Sequence, residues 1–214
     1  MKDLGGLKYV LGIEVARSQQ GIFLSQRKYV LDLLTDIGLL ACKPTNTPIV
    51  HNHHLGEYSD QVSTNKERYQ RYLKSASGKR LMFLKHGHLN IDGYSDVDWA
   101  GSVTDRKSTS GYFTFLGGNL VMWRSKKQNV VALYSVEPEF RGMTKGICEL
   151  IWLRKLLTEL GYKPTSTMNH FCDNKAAIAI AHNTVQHDRT KQVEVDINTS
   201  PNRSLRLKCF SFLL

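Results

Sequence analysis

The chain has 214 residues, 41% of them hydrophobic and only five of them proline, which is enough apolar material for one globular domain and a smaller appendage. No apolar run approaches the roughly 18 residues of a membrane-spanning helix, and the N-terminal MKDLGGLK lacks the apolar core of a signal peptide, so neither a membrane nor a secreted location is expected. The formal net charge of +10 favours polyanionic partners, while four cysteines without a CxxC pair argue against a zinc knuckle or disulfide framework and for a reducing compartment, cytoplasmic or nuclear.

In chain order, KYVLGIEVA, RSQQG and IFLS read as strand, turn and returning strand. A helix follows: Ser25 is a good N-cap, Tyr29, Val30, Leu33, Leu34 and Ile37 recur at helical spacing, and Gly38 stands at the left-handed C-terminal position. The polar stretch after Cys42, with Pro44, Pro48 and the HNHH of His51 to His54, reads as a linker with an exposed loop. LMFLKHGHLNIDGYSD contains a strand or strand pair, and SGYFTFLGGNLVMWRSKK two more around the Gly117-Gly118 hairpin cue. A long helix is predicted from about Val136 to Leu160, closed by Gly161, then a short buried strand ending at Cys172 and a helix in DNKAAIAIAH. Trp99, Trp123 and Trp152 are expected in the core.

The acidic residues fall at the ends of these elements. Asp96 closes a strand, Glu139 sits in the first helical turn, Asp173 follows the next strand, and Glu194 and Asp196 stand near a last element. Carboxylates gathered at one sheet edge repel unless cations neutralise them, and hard oxygen donors suit Mg²⁺. Two such ions about 4 Å apart serve in-line phosphodiester hydrolysis without a nucleophilic side chain. Consistently, the chain carries no GxSxG elbow, P-loop or GxGxxG. Asp98 is expected to cap or orient the loop leading to Trp99.

Three runs resemble the ribonuclease H domain that ends the Pol polyprotein of copia-type LTR retrotransposons: GYSDVDWAGSVTDRKSTSGYFTFLGGNLVMWRSKKQNVVALYSVEPEF, ICELIWLRKLL and CDNKAAIAIAHNTVQHDRTKQVEVD. The N-terminal MKDLGGLKYVLGIEVARSQQGIFLSQRKYVLDLL is similar to the end of that family's reverse transcriptase, where palm gives way to thumb. The resemblance implies an α/β, ribonuclease H-like fold with a mixed five-stranded sheet flanked by helices, preceded by a small hairpin-and-helix remnant. The boundaries that follow are 1–50 for the remnant, 51–79 for the linker, 80–196 for the ribonuclease H-like domain and 197–214 for a divergent, disordered tail.

The implied activity is cleavage of the RNA strand of an RNA-DNA hybrid, with Mg²⁺, or Mn²⁺ in its place, held by Asp96, Glu139, Asp173 and a fourth acid. Glu194 is the fourth by motif and Asp196 the neighbouring alternative. His187 is expected as a proton shuttle, and Ser125, Lys126, Lys127, Asn174 and Arg189 as contacts to the hybrid backbone. The chain departs from the family pattern in four ways. It lacks the polymerase Tyr-x-Asp-Asp motif, so no DNA synthesis is expected, and a block is missing between Arg71 and Tyr72. Pro138, Gly142 and Gln192 replace usual residues, and after Asp196 the text INTSPNRSLRLKCFSFLL replaces a helix. Two classes therefore stand: a hydrolytic enzyme, or an inactive remnant that binds nucleic acid.

Overall fold

The computed structural model describes residue 6 and residues 8–48, 65–182 and 205–209. The chain divides into two compact units, Met1–Lys85 and His86–Leu214.

In the first unit, β1 (Tyr9–Val10), β2 (Ile13–Arg17), β3 (Gly21–Ser25) and β4 (Leu81–Leu84) form an antiparallel sheet in that order. The Ser18 hydroxyl closes the β2–β3 turn by accepting from the Gly21 amide at 3.2 Å. Helix α1 (Arg27–Asp36) follows; the Ser25 hydroxyl accepts from the Arg27 amide at 3.0 Å, and Gly38 takes the expected left-handed conformation at φ +70°. Two boundaries differ from the sequence expectation. The span 51–79 is not all linker, because α2 (Lys66–Ala76) lies within it, capped by the Asn65 side chain accepting from the Arg68 amide. Leu81–Leu84 belongs to this first unit, paired along β3 with Gly21 opposite Leu84, so the division falls after Lys85 and not at residue 80. A short apolar strand carries no mark of which sheet will pair with it; β3 offered a free edge.

The second unit is built on a mixed sheet of five strands among the described residues, ordered β7-β6-β5-β8-β9. Strands β5 (Ile91–Asp98), β6 (Thr109–Leu116) and β7 (Asn119–Lys127) form an antiparallel meander, turning between β6 and β7 at Gly117 and Gly118, both at positive φ. After α3 (Val136–Glu159), β8 (Met168–Cys172) runs parallel beside β5; α4 (Lys175–His182) and β9 (Leu205–Cys209) complete the order, β9 parallel to β8. This is a ribonuclease H-like fold.

Strand β5 alternates along its length, with Ile91, Gly93, Ser95 and Val97 buried and the residues between them more open. α3 packs on that buried side: a Cβ at Gly142 would lie 2.6 Å from Val97 Cγ2, and one at Gly146 2.5 Å from His170 Cε1. Gly142 is therefore required by close helix–strand approach, which offsets its poor helix propensity of roughly 1 kcal/mol against alanine. Phe140, Met143, Ile147 and Cys172 form one apolar cluster with α4, and Ile91, Leu150, Leu153, Leu157 and Met168 a second.

The tail expected to be disordered contributes β9. Helical periodicity is absent from LRLKC, but strand alternation is present: Leu205 and Leu207 are half-buried against the core while Arg206 and Lys208 are exposed. Leu207→Asp is expected to destabilise the second unit by about 2–4 kcal/mol, since it sets a carboxylate against the apolar cluster that α3 and α4 share. A thermal melt followed by circular dichroism reads this; an unchanged midpoint would mean that the strand contributes nothing. The tryptophans also depart from expectation, at 45% exposure for Trp99, 59% for Trp123 and 52% for Trp152. Trp99 instead anchors a loop, its Nε1 donating to the Ala132 carbonyl at 3.3 Å.

Candidate active site

Parallel pairing of β5 and β8 sets Ser95 opposite Cys172, so the next residues stand at the same level of the sheet: Asp173 just past the end of β8, and Asp96 still within β5, which runs on to Asp98 and is not closed at Asp96 as expected. Glu139 reaches this edge from the first turn of α3. The start of α3 is clamped to the sheet by Gln128, whose amide donates to Ser110 Oγ at 2.7 Å and to the Pro138 carbonyl at 2.9 Å. Pro138 is tolerated because its missing N–H is among those with no intrahelical partner in a first turn.

Glu139 is only 7% exposed, and its Oε2 is buried without a hydrogen-bond partner. Burial, then the charges of Asp173 and Asp96, push its carboxyl up to about 8. Candidate ligand atoms of Glu139, Cys172 and Asp173 lie within 4.8 Å of one another. Asp96 is not part of that group, although its charge is felt by Glu139.

This donor set suits a hard divalent cation: an orphaned carboxylate oxygen, a second carboxylate beside it and a third whose charge reaches it. Cys172 does not belong to such a set. It is fully buried in the apolar cluster, and burial, the largest cause, pushes its thiol up to about 11. Sequence reading missed it, though the buried alternation of Met168, His170 and Cys172 along β8 carries the signal. The Asp98 carboxylate lies against the loop, seated where a Cβ on Gly101 would stand.

The expected backbone contacts separate. Ser125 lies in the cross-strand row of Asp96, through Gly111, about 10 Å away at two strand spacings. Lys126 pairs with Ser110, the row before, and its side chain takes the other face of the strand. Lys127 Nζ is held 3.0 Å from Asp105. Asn174 caps α4, its Oδ1 accepting from the Ala177 amide at 2.9 Å. His187, Arg189, Glu194 and Asp196 lie outside the described residues. Arg124, which the sequence clusters with Lys126 and Lys127, and Lys145, which sequence reading did not single out, line a groove with Lys126 between β7 and α3.

No model of a known protein family matches the chain. The retrovirus-related Pol polyprotein from transposon RE1 of Arabidopsis thaliana is 31% identical over 245 residues, covering 95% of this chain and 17% of that protein. An uncharacterized mitochondrial protein of the same plant is 31% identical over 198 residues, 71% of this chain and 80% of its own length. The chain belongs to the retrovirus-related Pol polyproteins of copia-type transposons. As a Pol segment it spans about a sixth of the transposon polyproteins it matches. Its alignment to the RE1 Pol is longer than the chain itself, so that relative has positions with no counterpart here. Among solved structures, a foamy viral protease-reverse transcriptase in complex with dsDNA shares the fold, with a TM-score of 0.52 at 10% identity over 96% of the Pol segment and 45% of the viral chain.

Proposed function

We infer that the Pol segment hydrolyses the RNA strand of RNA-DNA hybrids with divalent cations, Mg²⁺ first and Mn²⁺ in its place. The observation that carries this reading is the buried Glu139 carboxylate, unpartnered at Oε2 and raised to about 8 by burial and by Asp173 and Asp96. Three acids from three elements are costly to hold together, and binding a cation relieves that cost. Asp96, Glu139 and Asp173 would be the ligands, with Glu194 or Asp196 as the fourth. Bound cations would supply charge neutralisation at the scissile phosphate and a water of lowered pKa.

The chain's own groups do the rest. Glu139 releases its proton when it becomes a ligand, so occupancy rises with pH. The clamp from Gln128 to Pro138 and Ser110 fixes the first turn of α3, holding the Glu139 backbone against the sheet. Ser125, in the Asp96 row, is available to a backbone oxygen of the hybrid, and His187 would move a proton as product leaves. The viral neighbour's complex with dsDNA and the +10 charge support a nucleic-acid partner. Cys42, Cys148 and Cys172 are free thiols, as a cytoplasmic or nuclear setting would keep them.

A second reading, nucleic-acid binding without turnover, is favoured by the position of Asp96 outside the tight ligand group. Incubation with an end-labelled RNA-DNA hybrid in Mg²⁺ decides between them. Cutting by the chain and a loss of at least about a hundredfold in Asp96→Asn is the expected result. Salt-sensitive binding without cutting, or cutting that survives the substitution, would overturn the nuclease reading.

A further inference from the structure

We propose that Arg124, Lys126 and Lys145 line a groove that binds the nucleic-acid backbone through its phosphates, a few nucleotides from the acidic site. The inference rests on the hybrid as substrate and assigns where one strand runs.

On β7, Arg124 and Lys126 pair with Tyr112 and Ser110, the buried residues of β6 that face α3. Both cations therefore share the α3 side of the edge strand, while Ser125 between them takes the other. Across the groove, Lys145 stands on α3 one and two-thirds turns beyond Glu139, a rise of about 9 Å along the helix. That distance corresponds to between two and three steps of a duplex at about 3.4 Å each.

The charges in the groove are poorly matched. Among the described residues Glu149 is its one lining carboxylate, and its Oε1 accepts from the Tyr112 hydroxyl at 2.8 Å. Two neighbouring cations are already engaged, Arg141 with Glu137 and Lys127 with Asp105. Among the described residues, no carboxylate lies within salt-bridge distance of Arg124, Lys126 or Lys145. The crowding is felt: burial first, then Lys126, Arg124 and Arg141, push the Lys145 ammonium down. Cations that outnumber the carboxylate among them are relieved by an incoming polyanion, and an open groove beside an edge strand suits a phosphate chain running through.

Fluorescence anisotropy of a labelled RNA-DNA hybrid with the full chain in EDTA, between about 50 and 200 mM KCl, tests this. For Lys126→Ala/Lys145→Ala the dissociation constant should rise about tenfold, and the slope of log affinity against log salt should fall by about two, near 0.9 per lost phosphate contact. Lys126→Arg/Lys145→Arg should restore both. Lys155→Ala/Lys163→Ala removes the same charge from exposed positions outside the groove and should leave the slope unchanged. Equal slope changes in the two alanine pairs, no change in either, or no binding of hybrid by the parent chain would each overturn the groove. The nuclease reading fails separately: a chain with the expected slopes that never cuts in Mg²⁺ keeps the groove and loses the enzyme.

Discussion

Glu139→Gln is expected to abolish the proposed Mg²⁺-dependent cleavage and, in the same protein without metal, to raise thermal stability at pH 8. The two effects have one cause. The Glu139 carboxyl rises from an ordinary 4.5 to about 8 through burial and two neighbouring acids, so between those values the folded chain keeps a proton that the unfolded chain has released. Its contribution to stability is complete below pH 4.5 and drains as pH climbs through 8. At about 1.4 kcal/mol per pH unit the loss is on the order of 3 kcal/mol by pH 7. Glutamine fills the same space without a charge to desolvate, and it cannot serve as a charged ligand.

His170 works in the opposite direction. Burial lowers its imidazole from 6.5 to about 4, so its contribution is complete above pH 6.5 and is lost as pH falls through 4. The two slopes oppose each other between pH 4.5 and 6.5, and the Glu139 effect stands alone above that window. Melts in EDTA at pH 5 and pH 8, for parent and Glu139→Gln, isolate it. The difference should be small at the lower pH and large at the higher, and Mg²⁺ should raise the parent at pH 8 but not the variant. Equal melting points at pH 8 would mean that Glu139 carries no buried charge and would remove the main support for a metal site.

Gly146→Ala lowers the stability of the second unit by about 2–4 kcal/mol, a fall of about 10 °C or more in melting temperature. Helix propensity alone predicts a gain of about 1 kcal/mol, because Gly146 lies inside α3. Packing reverses the sign. The added methyl would meet His170 Cε1 at 2.5 Å, and the ring cannot retreat: its Nε2 shares a 3.0 Å hydrogen bond with Ser95 Oγ. Gly93, on the neighbouring strand, also borders the ring, with a Cβ there 3.1 Å from His170 Nδ1 and 2.9 Å from Leu150 Cδ2. The imidazole thus fills a slot made by two missing side chains. Combining the change with His170→Ala should cost less than the sum of the single effects, the signature of a shared contact. A Gly146→Ala protein that melts above the parent would show that α3 stands farther from β8 than the close approach requires.

The local code of the second unit was legible because it is periodic or punctuated. The long helix was expected over Val136 to Leu160 and spans Val136–Glu159; the Gly117-Gly118 turn, β8 and α4 fall where turn chemistry and spacing put them. Glu139 and Asp173 could be named as candidates because they stand at the start of α3 and just past β8, and Asp96 because it lies near the end of β5, two residues before Asp98. Tertiary structure alone decided the rest. It gave Leu81–Leu84 to the first unit, since a bare strand pairs with whichever edge is open, and made a strand of LRLKC, since a parallel partner waited at β8. It left three tryptophans about half exposed. The high pKa of Glu139 and the crowding of Lys145 with Arg124 and Lys126 likewise depend on neighbours remote in the chain. Residue order sets which hydrogen bonds and faces an element can offer, but charge interaction and burial are properties of distance, and only the packed fold brings those distances down.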